Sequence, residues 1–251
     1  MVNSNPILDM NKVSVDFDGF FALTDLSLSL QHGELRSIIG PNGAGKTTFL
    51  DVITGKVKPT TGSVTLRGIN IIGLSEQKIT RLGVGRKFQT PRVFENLSVI
   101  RNLELAAAQN KNPFNILFEK TSPRVKDEVN RIMNYVGLAP YAKVEAGSLS
   151  HGQKQWLAIS MLVALSPDII LLDEPVAGLT DEETLRTADL IKSLAGDHTV
   201  VVIEHDMEFI RELSAPVTVL HQGKLLTEGM IDDVKKDPRV IEVYLGKPDS
   251  D

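Results

Sequence analysis

The sequence predicts an α/β fold with an antiparallel β edge region and an inserted α-helical subdomain. Two short, fully apolar runs, Ile169 to Leu172 and Val200 to Ile203, stop abruptly at charged residues, as strands buried on both faces of a parallel sheet do. A glycine-rich stretch from Gly40 links the apolar run Leu35 to Ile39 to a segment of helical spacing, which reads as strand, loop, helix. Between these two regions, over about 96–166, lies a long block with helical patterning. The 251 residues are expected to form one unit, with a core over about 1–95 and 167–251 and a helical subdomain over about 96–166.

Taken in order, Leu23 to Leu30 (LTDLSLSL) alternates apolar with polar, the pattern of a strand with one wet face, and places the antiparallel region near the start. Residues 63 to 72 return to strand character, and after Gly85 the pattern turns helical. Ser122 and Pro123 open a helix in which Val125, Val129, Ile132, Met133 and Val136 recur at helical spacing until Gly137. Thr180 and Glu183 form a capping box for a helix reaching about Leu194. The segment around Asn110 to Asn115 is expected to be a polar connection, and the tail from Gly246 to be frayed.

Composition excludes several classes. Hydrophobic residues are 42% and charged residues 24%, the balance of a globular chain. Lys plus Arg count 27 against 32 acids, a net charge of -5, and aromatics are 5%, so neither a phosphate-neutralising surface nor a base-stacking platform is expected. No nucleic-acid partner is therefore expected. With no Cys there is no disulfide or thiolate site, and the five His residues have no ligand spacing. The longest apolar run, Trp156 to Leu165, is about half the ~20 residues a membrane span needs. The start lacks the basic and apolar regions of a secretory signal, which points to the cytoplasm.

Gly40, Pro41, Asn42, Gly43, Ala44, Gly45, Lys46, Thr47 and Thr48 carry the phosphate-loop pattern of Gly, four residues, Gly, Lys, Thr. The glycines let backbone N–H groups converge on one concavity, and the helix that begins there adds the positive end of its dipole. In this pattern Lys46 reaches the β and γ phosphates and the Thr47 hydroxyl holds Mg²⁺. Such a site also needs a carboxylate for the metal and a base for the attacking water. IILLDE supplies both at a strand end, with Asp173 for Mg²⁺ and Glu174 as general base.

LSHGQ at Leu149 to Gln153, ending 20 residues before Asp173, separates this chain from other nucleotide motors. Here the sequence resembles the ATP-binding cassette family, whose signature is close to LSGGQ. The resemblance implies a P-loop NTPase fold of the ABC type, ATP as cofactor, and roles for further residues. Phe17, in VDFDGFFAL, matches the aromatic that stacks on adenine. Gln89, in RKFQTP, matches the glutamine that senses Mg²⁺ and the attacking water. His205, in VIEHD, matches the histidine at the γ phosphate. In this family ATP lies between two subunits, so Ser150, Gly152 and Gln153 would act in trans on the partner cassette's nucleotide. Two departures stand out: His151 replaces the usual signature Gly, and AGLTDE puts Thr180 where the family has an acid, with Asp181 next. Asp181 either substitutes in cross-talk between the two sites or serves only as negative charge in the first turn of a capped helix.

A cassette without a span resembles the ATPase subunit of an importer, peripheral on the inner face of the membrane. It implies separate permease subunits, a second cassette of the same or a different chain, and an external solute-binding protein. Residues 86–99, 174–184, 217–229 and 237–246 are similar to ATPase subunits of the branched-chain amino acid and urea importers, and the LSHGQ variant with the wording of the last three stretches most resembles the urea subunit. Branched-chain amino acids are the alternative; a cassette ATPase acting on ribosome or DNA is the alternative of another class. Arg92 to Glu95 are the expected floor of the groove that receives the permease.

Overall fold

The computed structural model describes residues 5–87, 92–108 and 123–245. β1 (Leu8–Phe17) and β2 (Phe20–Leu30) form a hairpin, joined by β4 (Thr61–Leu66) and β5 (Ile69–Asn70) in an antiparallel sheet of order β2-β1-β4-β5. The alternation in β2 does what it predicted: Leu26, Leu28 and Leu30 are buried, while Asp25, Ser27 and Ser29 face solvent at the sheet edge. The strand signal over 63–72 resolves into the β4–β5 hairpin, whose turn places Arg67 and Gly68 at positive φ.

The second sheet has six strands. It contains β3 (Leu35–Ile39), β6 (Val84–Lys87), β7 (Ile169–Asp173), β8 (Thr199–Ile203), β9 (Val217–His221) and β10 (Lys224–Gly229), in the order β10-β9-β3-β8-β7-β6. Its pairs are parallel except for β10 on β9. Side chains of a strand alternate between faces, and here both faces are covered. Ile169 and Leu171 of β7, with Val201 and Ile203 of β8, enter the core shared with the antiparallel sheet and with Phe49, Leu50 and Ile53 of α1 (Lys46–Ile53). Ile170, Leu172, Val200 and Val202 enter a second core. That core is closed by α5 (His151–Val163), α6 (Asp181–Leu194) and α7 (Met207–Leu213), through Leu157, Ile159, Ile191 and Phe209.

Among the described residues between β6 and β7 all regular elements are helical: α3 (Val99–Ala108), α4 (Pro123–Tyr135), α5 and two short 3-10 turns, Ala139–Tyr141 and Ala146–Ser148. Val129, Ile132 and Met133 on α4 are buried as their spacing predicts, and Gly137 follows at φ 71. The capping box of α6 is present, with Thr180 and Glu183 bonded reciprocally. α2 (Glu76–Arg81), α8 (Ile231–Val234) and α9 (Pro238–Leu245) complete the elements.

One expectation is corrected. The segment after Gly85 is not helical; it continues as β6 to Lys87. Gly85 serves the strand by its lack of a side chain, since a Cβ there would lie 2.4 Å from Leu162 Cδ1 on α5. The connection at 110–115 and the tail from Gly246 lie outside the described residues. No described helix is long and apolar enough to cross a membrane.

Candidate functional site

The ends of β3, β7 and β8 bring the expected residues together at one edge of the parallel sheet. The glycine loop leaves β3 at Gly40 and enters α1 at Lys46, with Gly45 as N-cap at φ 102. Two positions tolerate no side chain. A Cβ on Gly40 would lie 2.3 Å from the Leu220 carbonyl oxygen, and one on Gly45 would lie 2.6 Å from that of Ala22. The loop is clamped from outside by the β9–β10 turn: Gly223 N–H donates to the Ala44 carbonyl (3.0 Å), and the Gly223 carbonyl accepts from Thr24 N–H (2.9 Å). That turn therefore fixes the loop relative to β2. Beyond it, Phe17 sits half-exposed at the tip of the β1–β2 hairpin, directly opposite Phe20.

Lys46 is folded back on its own loop, donating to the carbonyls of Gly40 (2.6 Å) and Pro41 (3.0 Å). Burial lowers its pKa, opposed by the negative charges of Glu174 and then Asp173. Thr47 is exposed in the first turn of α1, with Thr48 half-buried beside it. Glu174 follows β7 in a left-handed conformation, φ 45, sparsely populated by residues with a side chain. Its N–H donates to the Ile203 carbonyl (2.9 Å), and its Oε1 lies 3.6 Å from Nδ1 of His205. Asp173 is held from behind by Arg86, which also pairs with Asp51 of α1 (2.5 Å).

Three residues of this site were not picked out from sequence. Arg86 and Lys87 come from β6, and Glu204 directly follows β8. Glu204 is 2% exposed and uses both carboxylate oxygens: Oε1 accepts from Val176 N–H (3.2 Å) and Oε2 from His205 N–H (3.1 Å). Burial raises its pKa against those backbone bonds. Burial pushes Lys87 down to about 8, although the charges of Asp173 and Glu204 pull it back. One buried carboxylate thus ties the turn after Glu174 to the backbone of His205.

The signature residues open α5, beside the turn that follows Glu174. Ser150 is the N-cap of α5; its Oγ accepts from Gln153 N–H (3.2 Å), and Gln153 Oε1 accepts from Ser150 N–H (3.0 Å). Gly152 is buried against Glu183, where a Cβ would fall 2.3 Å from its carboxylate. Gln89 lies outside the described residues. The loop at Arg92 to Glu95 is organised by the buried Asn102, which accepts from Phe94 N–H (2.7 Å) and donates to the carbonyls of Phe94, Leu97 and Ser98.

The model of the family described as "ABC transporter" matches residues 23–177, which span the glycine loop, the signature and Glu174. The chain belongs to the ABC transporter family. The high-affinity branched-chain amino acid transport ATP-binding protein LivG of Salmonella typhimurium is 37% identical over 97% of this chain and 99% of its own length. A solved ATP-binding cassette of an ABC transporter in its ADP conformation has a TM-score of 0.84 at 30% identity, covering 96% of this chain and 99% of that one. A dimeric cassette in a post-hydrolysis state with ADP and Pi has a TM-score of 0.75 at 26% identity, over 89% and 98%. As a cassette of this family the chain is an ATPase. Urea, the solute first expected, is not supported by these relatives.

For this ATPase, Glu204→Gln replaces one acceptor by an NH₂ group facing a backbone N–H, a donor against a donor. Such a mismatch costs about 1–3 kcal/mol. Steady-state phosphate release is expected to fall about ten-fold, with the KM for ATP within about two-fold of the parent. An unchanged kcat would show that Glu174 and His205 do not depend on this carboxylate.

Proposed function

We propose that this chain is the ATPase subunit of an importer for branched-chain amino acids, acting as one of two paired cassettes beneath separate permease subunits on the inner face of the membrane. The observation that carries this reading is the end-to-end match to LivG, over 97% of the chain and 99% of that relative. The chain itself is not proposed to touch the solute.

The site supplies the parts of an ATP-hydrolysing centre. The Gly40–Thr48 loop cradles the phosphates with its backbone amides, and Lys46 leaves its two carbonyls to meet them. Phe17 offers a ring to the adenine. Thr47, Asp173 and Gln89 present the all-oxygen donor set suited to Mg²⁺. When bound, that ion neutralises phosphate charge. Glu174 accepts the proton of the attacking water, and His205 contacts the γ phosphate. Ser150, Gly152 and Gln153 close over the nucleotide of the partner cassette; the pairing is supported by a solved relative that is a dimer with ADP and Pi. Closure driven by ATP then shifts the permeases, since a ligand moves an equilibrium only by its differential affinity for the two states. The permease is proposed to rest on the Arg92 to Glu95 loop that Asn102 organises, and an external binding protein to deliver the solute.

Uptake of labelled leucine and of labelled urea, measured in a strain deleted for this gene, tests the reading. Leucine uptake is expected to collapse and urea uptake to stay. Loss of urea uptake with leucine retained would overturn the choice of solute.

A further inference from the structure

His151 occupies a place where the commonest signature has no side chain, and its ring is used. Nε2 lies 3.1 Å from the Ala177 carbonyl oxygen. A carbonyl only accepts, so in this bond Nε2 carries the hydrogen, and the Gln155 amide nitrogen 3.5 Å from the same ring nitrogen then makes no hydrogen bond to it. The ring also packs over Gly178, where a Cβ would lie 3.6 Å from Nε2. Ala177 is three residues after Glu174, and its own N–H turns back to the Glu174 carbonyl.

This contact is the first rung of a seam. One residue on, Gly152 lies close against the Glu183 carboxylate, with room for no larger side chain. One helical turn further, Trp156 Nε1 donates to Thr187 Oγ1 (2.9 Å), and that hydroxyl donates to the Glu183 carbonyl (2.7 Å). The N-terminal half of α5, which carries the signature, is thereby fastened to the turn after Glu174 and to the first turns of α6. Trp156 and Thr187 are both buried, so their rung is shielded from solvent.

We infer that His151 is a positioning residue that couples the two nucleotide sites of a cassette pair through this seam. The inference rests on the two-cassette reading above. In that arrangement α5 serves the partner's ATP while Glu174 serves the chain's own. A displacement of Ser150 by the partner's nucleotide pulls on Ala177 through the imidazole, and so reaches the turn that sets Glu174. A seam anchored only at Trp156 and Gly152 leaves that turn without its direct tie.

The test uses the full chain with His151→Ala and His151→Gln, since a glutamine amide nitrogen reaches toward the same carbonyl. Measured quantities are thermal midpoint, ATP affinity, kcat and the Hill coefficient for ATP; Glu174→Gln is run alongside to read ATP-dependent pairing by size exclusion. His151→Ala is expected to keep midpoint and ATP affinity, to lower kcat about five-fold, and to bring the Hill coefficient from near two, the number of sites, toward one. His151→Gln is expected to restore most of both. Parental kcat and Hill coefficient in His151→Ala overturn the coupling, as does a loss confined to stability or affinity. Failure of Glu174→Gln to pair with ATP overturns the two-cassette reading itself, a result distinct from either.

Discussion

Glu174→Gln is expected to abolish steady-state ATP hydrolysis while leaving ATP affinity within about two-fold of the parent. A positioned general base contributes roughly 10²–10⁴-fold, and the amide keeps the shape of the carboxylate while losing its ability to take a proton. The backbone that presents residue 174 does not depend on the side chain: β7 ends beside β8, and the 174 N–H is fixed on the Ile203 carbonyl. The left-handed φ of 45 is therefore expected to survive the change. Because binding persists and turnover stops, the closed pair should accumulate and elute as a dimer when ATP is added. Phosphate release together with size exclusion checks both halves. A variant retaining more than about a tenth of the parental rate would move the base elsewhere, with His205, 3.6 Å from Glu174, the first place to look.

The residues that sequence made legible share one property: their signals are local. The capping box at Thr180 and Glu183, the apolar runs that become β7 and β8, and the glycine loop each declare themselves within a few positions. β6 does not. Val84–Lys87 contains a glycine and two cations, a poor strand by composition. What makes it a buried strand is distant in the chain: Arg86 is neutralised by Asp51 and Asp173, and Lys87 lies in the field of Asp173 and Glu204. A buried charge is tolerable only when paired, and no pattern within the strand announces partners 35 and 87 residues away. Glu204 escaped notice for the same reason, since its value lies in two backbone amides, one of them 28 residues earlier. The solute is illegible for a different one: nothing in this chain is proposed to touch it, so the wording of LSHGQ constrains the cassette and not the cargo.

Lys46→Ala is expected to weaken ATP binding by about 30- to 100-fold. A hydrogen bond to a charged group contributes about 1.5–3 kcal/mol, and a full bond to each of two phosphates would suggest a larger loss. The starting state reduces it. Lys46 already donates to the carbonyls of Gly40 and Pro41, so binding exchanges those bonds for phosphate bonds and gains the difference. A second effect works the other way. Glu174 and Asp173 both act on the Lys46 charge; without the cation, two carboxylates face the incoming triphosphate with less to offset them. A net loss of about 2–2.7 kcal/mol follows, which corresponds to the fold-change above. Equilibrium titration with a fluorescent ATP analogue measures it directly. The salt dependence separates the two contributions: if the unopposed carboxylates matter, affinity of the variant should rise with moderate salt as screening grows. Binding within about three-fold of the parent would mean that the loop's backbone amides alone hold the nucleotide.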